Sequence, residues 1–364
     1  MSPPLLVFGE DWGRHPSSTQ HLIRRLAARH PVVWVDSIGL RRPRLGLADL
    51  RRVRDKLLGQ RQPPSDAIPV QRVRPLAWPG AALAWERWVN RQLIRWSVAP
   101  ALATGVRPIL WASLPSAADA LGAFGERAVV YYCGDDFGAL AGVDHATALA
   151  QEQRLAARAD LILCASPRLA QRFASSRTEV VEHGVDLALF ATPQPPAADL
   201  PSGPVLGFYG ALAPWLDTDL IAALADRLPD WTLLFIGPTA GQPLPVRANI
   251  QWLGPRPHSQ LPSYAQHWQA GWLPFRACDQ ITACNPLKLR EYLAAGRPVL
   301  ATEFPALDRY RDLVATPRTL DAWVAVLRAS ATAPDRRAEI RLRLACEDWD
   351  ARAARVAALL AHLA

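Results

Sequence analysis

"CNPLKLREYLAAGRPVLATEF" occupies residues 284–304, and its punctuation spells a helix followed by a strand. Asn285 is a good N-cap, and Pro286 suits the first helical position, where a missing N–H costs nothing. Gly296 stands where a helix C-cap glycine belongs, and Pro298 prevents continuation. The spacing predicts a helix over 286–295 and then a strand, "PVLAT", over 298–302. Lys288 falls in the first turn, where a cation opposes the helix dipole unless an anion is present. A helix that starts after the carboxyl edge of a strand presents N–H groups suited to phosphate oxygens. Glu291 follows Lys288 at i+3, on the same face, where a carboxylate can accept from the two hydroxyls of a ribose. The same residues also read as a solvated Lys–Glu pair on an ordinary βα unit.

Working outward, short apolar runs alternate with amphipathic stretches along the chain. Strand patterns fall at 5–8, 32–37, 109–113, 128–133, 160–166 and 179–184, with helices from Ser17 or Ser18 and over 146–159. "ATPQPPAADLPSGP" (191–204) breaks the rhythm and reads as a linker. The alternation restarts with strands at 205–210, 232–237, 250–254 and 270–275, helices at 217–228 and 260–266, and a helical C-terminus over 335–362. Continuous apolar strands between helices imply parallel sheets covered on both faces. The expectation is α/β: two doubly wound, Rossmann-like domains, residues 1–190 and 205–345, with helix 346–364 beyond them. Such domains bind ligands at the carboxyl edges of their sheets, across an expected cleft.

A chain of 364 residues suits two domains of roughly 150–200 residues each. Its five cysteines (133, 164, 278, 284, 346) form no C-x-x-C pair, which argues against a disulfide framework or a thiolate zinc site. The N-terminus lacks the basic region and apolar length of a signal peptide, and no apolar run is long enough to span a bilayer. A cytoplasmic protein is expected. Net charge is +8, and residues 1–190 hold 24 Lys+Arg against 17 Asp+Glu. The excess concentrates at 41–61, with 8 basic and 2 acidic residues; nucleic acid, anionic headgroups, a phosphorylated substrate or a solvated helix face each account for it. "WERWVNRQLIRW" (85–96) sets Arg87, Arg91 and Arg95 on one face and Trp85, Val89, Leu93 and Trp96 on another. That pattern fits a membrane interface or a helix packed on its domain core.

The motifs together carry a resemblance. "NPLKLREYLAAGRPVLAT" resembles the donor-binding helix of GT-B glycosyltransferases of the retaining, family-4-like group. "ADLILCASPRLAQRF" with "VVEHGVDLALF" is similar to the end of that group's N-terminal domain, His183 standing where an Asn is usual. "GFYGALAPWLDTDLIAALADRLPDWTLLFIGP" and "NIQWLGPRPHSQLPSYAQHWQAGWLPF" resemble the first half of its C-terminal domain. The likeness is good over about 105–305 and loose before it.

The resemblance implies a nucleotide-sugar donor of UDP or GDP type, a glycan or lipid-linked acceptor, retention of configuration, and no metal or other cofactor. It implies a role in cell-surface or exported polysaccharide, on the cytoplasmic side, with peripheral contact to anionic membrane and no nucleic acid. Glu291 matches the second glutamate of the group's E-x7-E motif, the ribose ligand, and Asn285, Pro286, Leu287 and Lys288 match the diphosphate-binding helix start. Pro255 and Arg256 match the nucleobase loop, while Gly9 and Gly210 match loops that approach the donor. The C-terminal helix should return to the N-domain.

Two departures stand out. Ala283 replaces the motif's first glutamate, leaving Asp279 as the nearest upstream acid. The loop "GALAPWLDTD" also lacks the usual Arg and Lys, so neutralising the diphosphate would fall to Lys288, with Arg276 or Arg290, or to the N-domain. Asp135 and Asp136 follow strand 128–133 at its carboxyl edge and are candidates to contact the acceptor hydroxyl or the sugar; a turn or cap role is the alternative. His15 and His183 lie near the same edges. A GT-B sugar-nucleotide epimerase and a non-catalytic nucleotide-sugar-binding protein are the rival readings.

Overall fold

The computed structural model describes residues 2–13, 17–38, 70–78, 81, 83–140, 143–173, 175–332 and 335–363. The basic run 41–61 and His15 lie outside the described residues. The chain divides into two compact units, Met1–Glu182 with Ala353–Ala364, and His183–Arg352.

In unit 1 the strands are β1 (Leu5–Phe8), β2 (Val32–Val35), β3 (Val70–Val73), β4 (Ile109–Ala112), β5 (Ala128–Cys133), β6 (Leu161–Cys164) and β7 (Thr178–Val180). They form one parallel sheet in the order β3-β2-β1-β4-β5-β6-β7, Leu5 standing opposite Val32 on one side and Ile109 on the other. Every residue of β1, β2, β4, β5 and β6 is buried, as a sheet covered on both faces requires. Its helices are α1 (Ser18–Leu26), α2 (Ala84–Val98), α3 (His145–Arg158) and α4 (Pro167–Gln171). Ser17, Asp144 and Ser166 cap α1, α3 and α4 with side-chain oxygens, each satisfying a first-turn N–H.

Unit 2 opens with α5 (Leu187–Ala191), then β8 (Val205–Tyr209), α6 (Thr218–Arg227), β9 (Thr232–Ile236), β10 (Ile250–Trp252) and α7 (Pro262–Ala265). There follow β11 (Ala270–Leu273), α8 (Asp279–Ala283), α9 (Leu287–Ala294), β12 (Val299–Ala301), β13 (Val314–Ala315), α10 (Leu320–Ala329) and α11 (Arg337–Leu344). Its parallel sheet runs β10-β9-β8-β11-β12-β13. Both sheets wind outward over three strands and then return to the other side of the first, at β1/β4 and β8/β11, which is the doubly wound order with its switch point. The last helix, α12 (Trp349–Ala361), begins in unit 2 and continues in unit 1 from Ala353.

The structure corrects several expectations. Segment 191–204 is no free linker but packed coil of unit 2. Ala197 N donates to Ser263 O at 3.1 Å, Gln194 N to Gln266 Oε1 at 2.8 Å, and Tyr264 Oη to Asp199 at 2.6 Å. Unit 2 therefore begins at His183, not 205, because Phe190 of α5 is buried in its core. Asn285 does not cap α9: Pro286 occupies the N-cap position, and no side chain caps the helix. Asp279 is not on a loop but opens the short helix α8. The sequence reading missed β3, β13 and α10.

Candidate functional site

β8 ends at Tyr209 and is followed by Gly210 at φ +142°. A Cβ on Gly210 would lie 2.5 Å from the Lys288 ammonium, so the glycine lets the first turn of α9 close over the end of β8. Lys288 Nζ sits 4.9 Å from the ring centre of Phe208 and 5.7 Å from that of Phe275. Among the described residues it has no carboxylate within ion-pair distance and no hydrogen-bond acceptor. Desolvation pulls its pKa below the usual lysine value, with Cys284 and Glu291 opposing that shift. A partly buried, unpaired cation at an uncapped helix N-terminus is unfavourable twice over, by desolvation and by the dipole. An anion at this edge would remove both penalties.

Glu291 lies one turn further along α9 and is buried. Tyr209 Oη donates to its Oε2 at 2.6 Å, and His258 Nε2 lies 2.7 Å from its Oε1. Tyr209 N donates to Tyr292 Oη at 2.9 Å, which ties β8 to the same helix. Both carboxylate oxygens thus have a protein partner, although a carboxylate offers about four lone-pair positions. His258 is a site residue that sequence reasoning missed; its only local signal was a histidine in the loop after β10.

The other donor-side candidates separate. Asn285 Oδ1 accepts from Arg290 Nη1 at 2.7 Å, and Arg290 Nε donates to Glu347 at 2.9 Å. Arg290 and Glu347 each expose only 1 % of their side chains, and Tyr310 Oη donates to the same carboxylate. Arg290 is therefore committed to the core and is not a cation for the diphosphate. The Arg256 guanidinium donates to Leu253 O at 2.6 Å and Asp199 at 2.7 Å, which leaves the backbone groups of this loop, the ones the resemblance assigns to the nucleobase. Pro255 before it is exposed. Arg276 is exposed and donates to Thr218 Oγ1 at 2.8 Å. Asp279 is exposed at the start of α8, and Ala283 is buried at its end. Leu287 is partly buried in the first turn of α9.

In unit 1, Gly9 follows β1, where a Cβ would collide with the Trp34 ring; the structure gives it a packing role. Asp136 does not stand free. Its Oδ1 accepts from Gly138 N at 3.0 Å and from Arg172 at 2.9 Å, the turn role that sequence left open. Arg172 also pairs with Glu152, which accepts from Tyr131 Oη at 2.6 Å. Among the described residues, the Asp135 carboxylate has no such partner. Desolvation, then the charges of Glu10 and Asp136, push its pKa up. Its surface nonetheless remains open, so the repulsion from Glu10 and Asp136 is the firmer of these causes. Glu10, which accepts from Gln20 Nε2 at 3.0 Å, is a second acid at this edge that sequence reasoning did not single out. His183, in unit 2, is buried near Arg290 and Arg352, and its pKa falls to about 3, so the ring is neutral at ordinary pH.

Two parallel, Rossmann-like sheets with their candidate ligand groups at the carboxyl edges define a GT-B fold, as the resemblance implied. Solved structures agree over the full chain. The α,α-trehalose-phosphate synthase (UDP-forming) from Burkholderia xenovorans in complex with glucose-6-phosphate superposes with a TM-score of 0.66 and 13% identity, covering 100% of both chains. A structure from E. coli described as trehalose-6-phosphate bound with UDP-2-fluoro glucose gives 0.63 and 15%, over 99% of this chain and 98% of that one. In sequence, the chain is 33% identical over 234 residues to the "Putative teichuronic acid biosynthesis glycosyltransferase TuaH" of Bacillus subtilis (strain 168). That match covers 58% of this chain and 59% of the relative, so it spans about three fifths of the relative's length. No family model matches.

Proposed function

We propose that this chain is a glycosyltransferase that moves a sugar from a UDP- or GDP-type nucleotide sugar to a glycan or lipid-linked acceptor. The observation that carries the proposal is the unpaired Lys288 ammonium at the uncapped start of α9, against Gly210. Glycosyl transfer needs the leaving diphosphate stabilised as the anomeric carbon becomes cation-like. The α9 N–H groups and Lys288 fill that role in the proposal, without calling for a metal ion. Glu291, held by Tyr209 and His258, is the ribose ligand in this reading, accepting through its remaining lone pairs. Asp135 is the acid that unit 1 offers to an acceptor hydroxyl, and Asp279 the nearest carboxylate for the donor sugar. Retention of configuration follows the family-4-like resemblance. The relative's name supports a role in polysaccharide biosynthesis; the cell-surface destination, the cytoplasmic side and the anionic membrane follow the family-4-like resemblance.

A second reading, a nucleotide-sugar-binding protein without turnover, is favoured by one observation: α8 ends in buried Ala283 where the motif has a glutamate. Incubation with a panel of UDP- and GDP-sugars separates the readings. The transferase releases nucleoside diphosphate slowly even without acceptor. Binding without release from any donor would sink the proposal in favour of the second reading. Interconversion of sugar isomers without release would make the protein an epimerase.

A further inference from the structure

Six of the ten exposed large apolar side chains among the described residues fall within positions 76–96: Leu76, Trp78, Leu83, Trp85, Trp88 and Trp96. The three tryptophans of α2 expose 65%, 64% and 71% of their surface, whereas Trp34, Trp111, Trp268, Trp272 and Trp349 are fully buried. At about 100° per residue, positions 85, 88 and 96 share a sector roughly 80° wide. The opposite side of α2 is anchored: Asn90, Ile94 and Val98 are buried. Segment 76–78 is fastened beside the helix, with Trp78 N donating to Asn90 Oδ1 at 2.6 Å and Leu76 N to Ser97 Oγ at 3.3 Å. The helix is packed on its domain core through Ile94 and Val98, as one of the two sequence readings had it, and the tryptophan stripe faces away from that core.

Single exposed apolar residues are ordinary, but three exposed tryptophans aligned on one face of a helix mark an interaction surface. Arg91 and Arg95 border the stripe, both exposed, and Arg95 has no carboxylate partner among the described residues. The helix has one acid, Glu86, and its carboxylate accepts from Leu83 N at 2.9 Å. The charge along this face is thus of one sign. A single helix face is convex, without a groove to grip a protein segment, and its exposed apolar positions are tryptophan, the residue that settles at a membrane–water boundary. Among the described residues no helix is long and apolar enough to cross a membrane.

We propose that the outer face of α2 docks on an anionic bilayer, with Trp85, Trp88 and Trp96 entering the headgroup region and Arg91 and Arg95 meeting lipid phosphates. This locates the membrane contact of the reading above, and it rests on that reading only for its purpose, the approach to a lipid-linked acceptor. The test contains no donor sugar, so docking and glycosyl transfer fail or succeed separately. Full-length protein is sedimented with phosphatidylcholine vesicles with and without phosphatidylglycerol, at low and high salt. Wild type should bind the anionic vesicles, less so as salt rises. The triple variant Trp85→Ser, Trp88→Ser, Trp96→Ser should bind about tenfold or more weakly, with an unchanged thermal melt because the replaced side chains touch solvent. Arg91→Gln with Arg95→Gln should reduce the preference for anionic vesicles. Equal binding by the triple variant, equal binding to neutral vesicles, or no binding to either overturns the proposal. Loss of a dimer in the triple variant without vesicle binding would assign the face to a second copy of the chain instead.

Discussion

Glu291 is held in place before any ligand arrives, because Tyr209 and His258 each engage one of its oxygens. Replacing it with Ala would strand a buried phenol and an imidazole, a penalty of about 1–3 kcal/mol. Glu291→Ala is expected to lose that much stability in urea melts and to weaken nucleoside diphosphate binding as well; a variant as stable as wild type would show that the Tyr209–Glu291–His258 contact carries no weight. His183 gives a pH prediction. Its pKa drops from 6.5 to about 3 on folding, so the unfolded chain binds the extra proton between those values. The stability is present above pH 6.5 and is lost as pH falls toward 3, at up to about 1.4 kcal/mol per unit. His183→Asn should flatten that part of the wild-type stability curve between pH 7 and pH 5; parallel curves would contradict the assignment. Lys288 and Glu291 were legible in sequence because one helical turn relates them. Arg290 and Asn285 were not, since the partner that claims Arg290, Glu347, lies 57 residues away.

At the scale of elements, α9 is positioned by both its ends. Gly296 at φ +77° ends the helix, and a Cβ there would also collide with the Arg337 side chain. Gly296→Ala should cost about 1–2 kcal/mol for the left-handed backbone, or more if Arg337 cannot move aside. Nucleoside diphosphate affinity should hold, because the ligand belongs at the other end of the helix. Reduced affinity with an unchanged melt would contradict that placement. The strong strands were readable as unbroken apolar runs. β3 was not, because Gln71 and Arg72 face solvent on an edge strand, and β13 has only two residues. Segment 191–204 misled for a physical reason: its prolines exclude helix and strand, but they do not prevent packing against α7 through Ala197 and Asp199.

For the whole molecule, the alternation of strands and helices made two doubly wound units foreseeable, while the boundary at His183 depended on contacts between α5 and the distant helices α9 and α11. Val356 and Leu360 of α12 are buried within unit 1, each contributing about 1.5–3 kcal/mol. Truncation after Arg352 should therefore speed hydrogen exchange in the strands of unit 1 and leave β8 and β11 protected; the reverse pattern would misassign the helix. In the proposed function the start of α9 holds a nucleoside diphosphate through Lys288. Lys288→Met removes the charge while keeping an apolar stem against Phe208 and Phe275, so the fold should survive. Calorimetric titration with UDP and GDP measures that contact. Wild type should bind at least one of them, and Lys288→Met should bind it about tenfold or more weakly, roughly 1.4 kcal/mol. Equal affinity in the two proteins, or no binding by wild type, would contradict it.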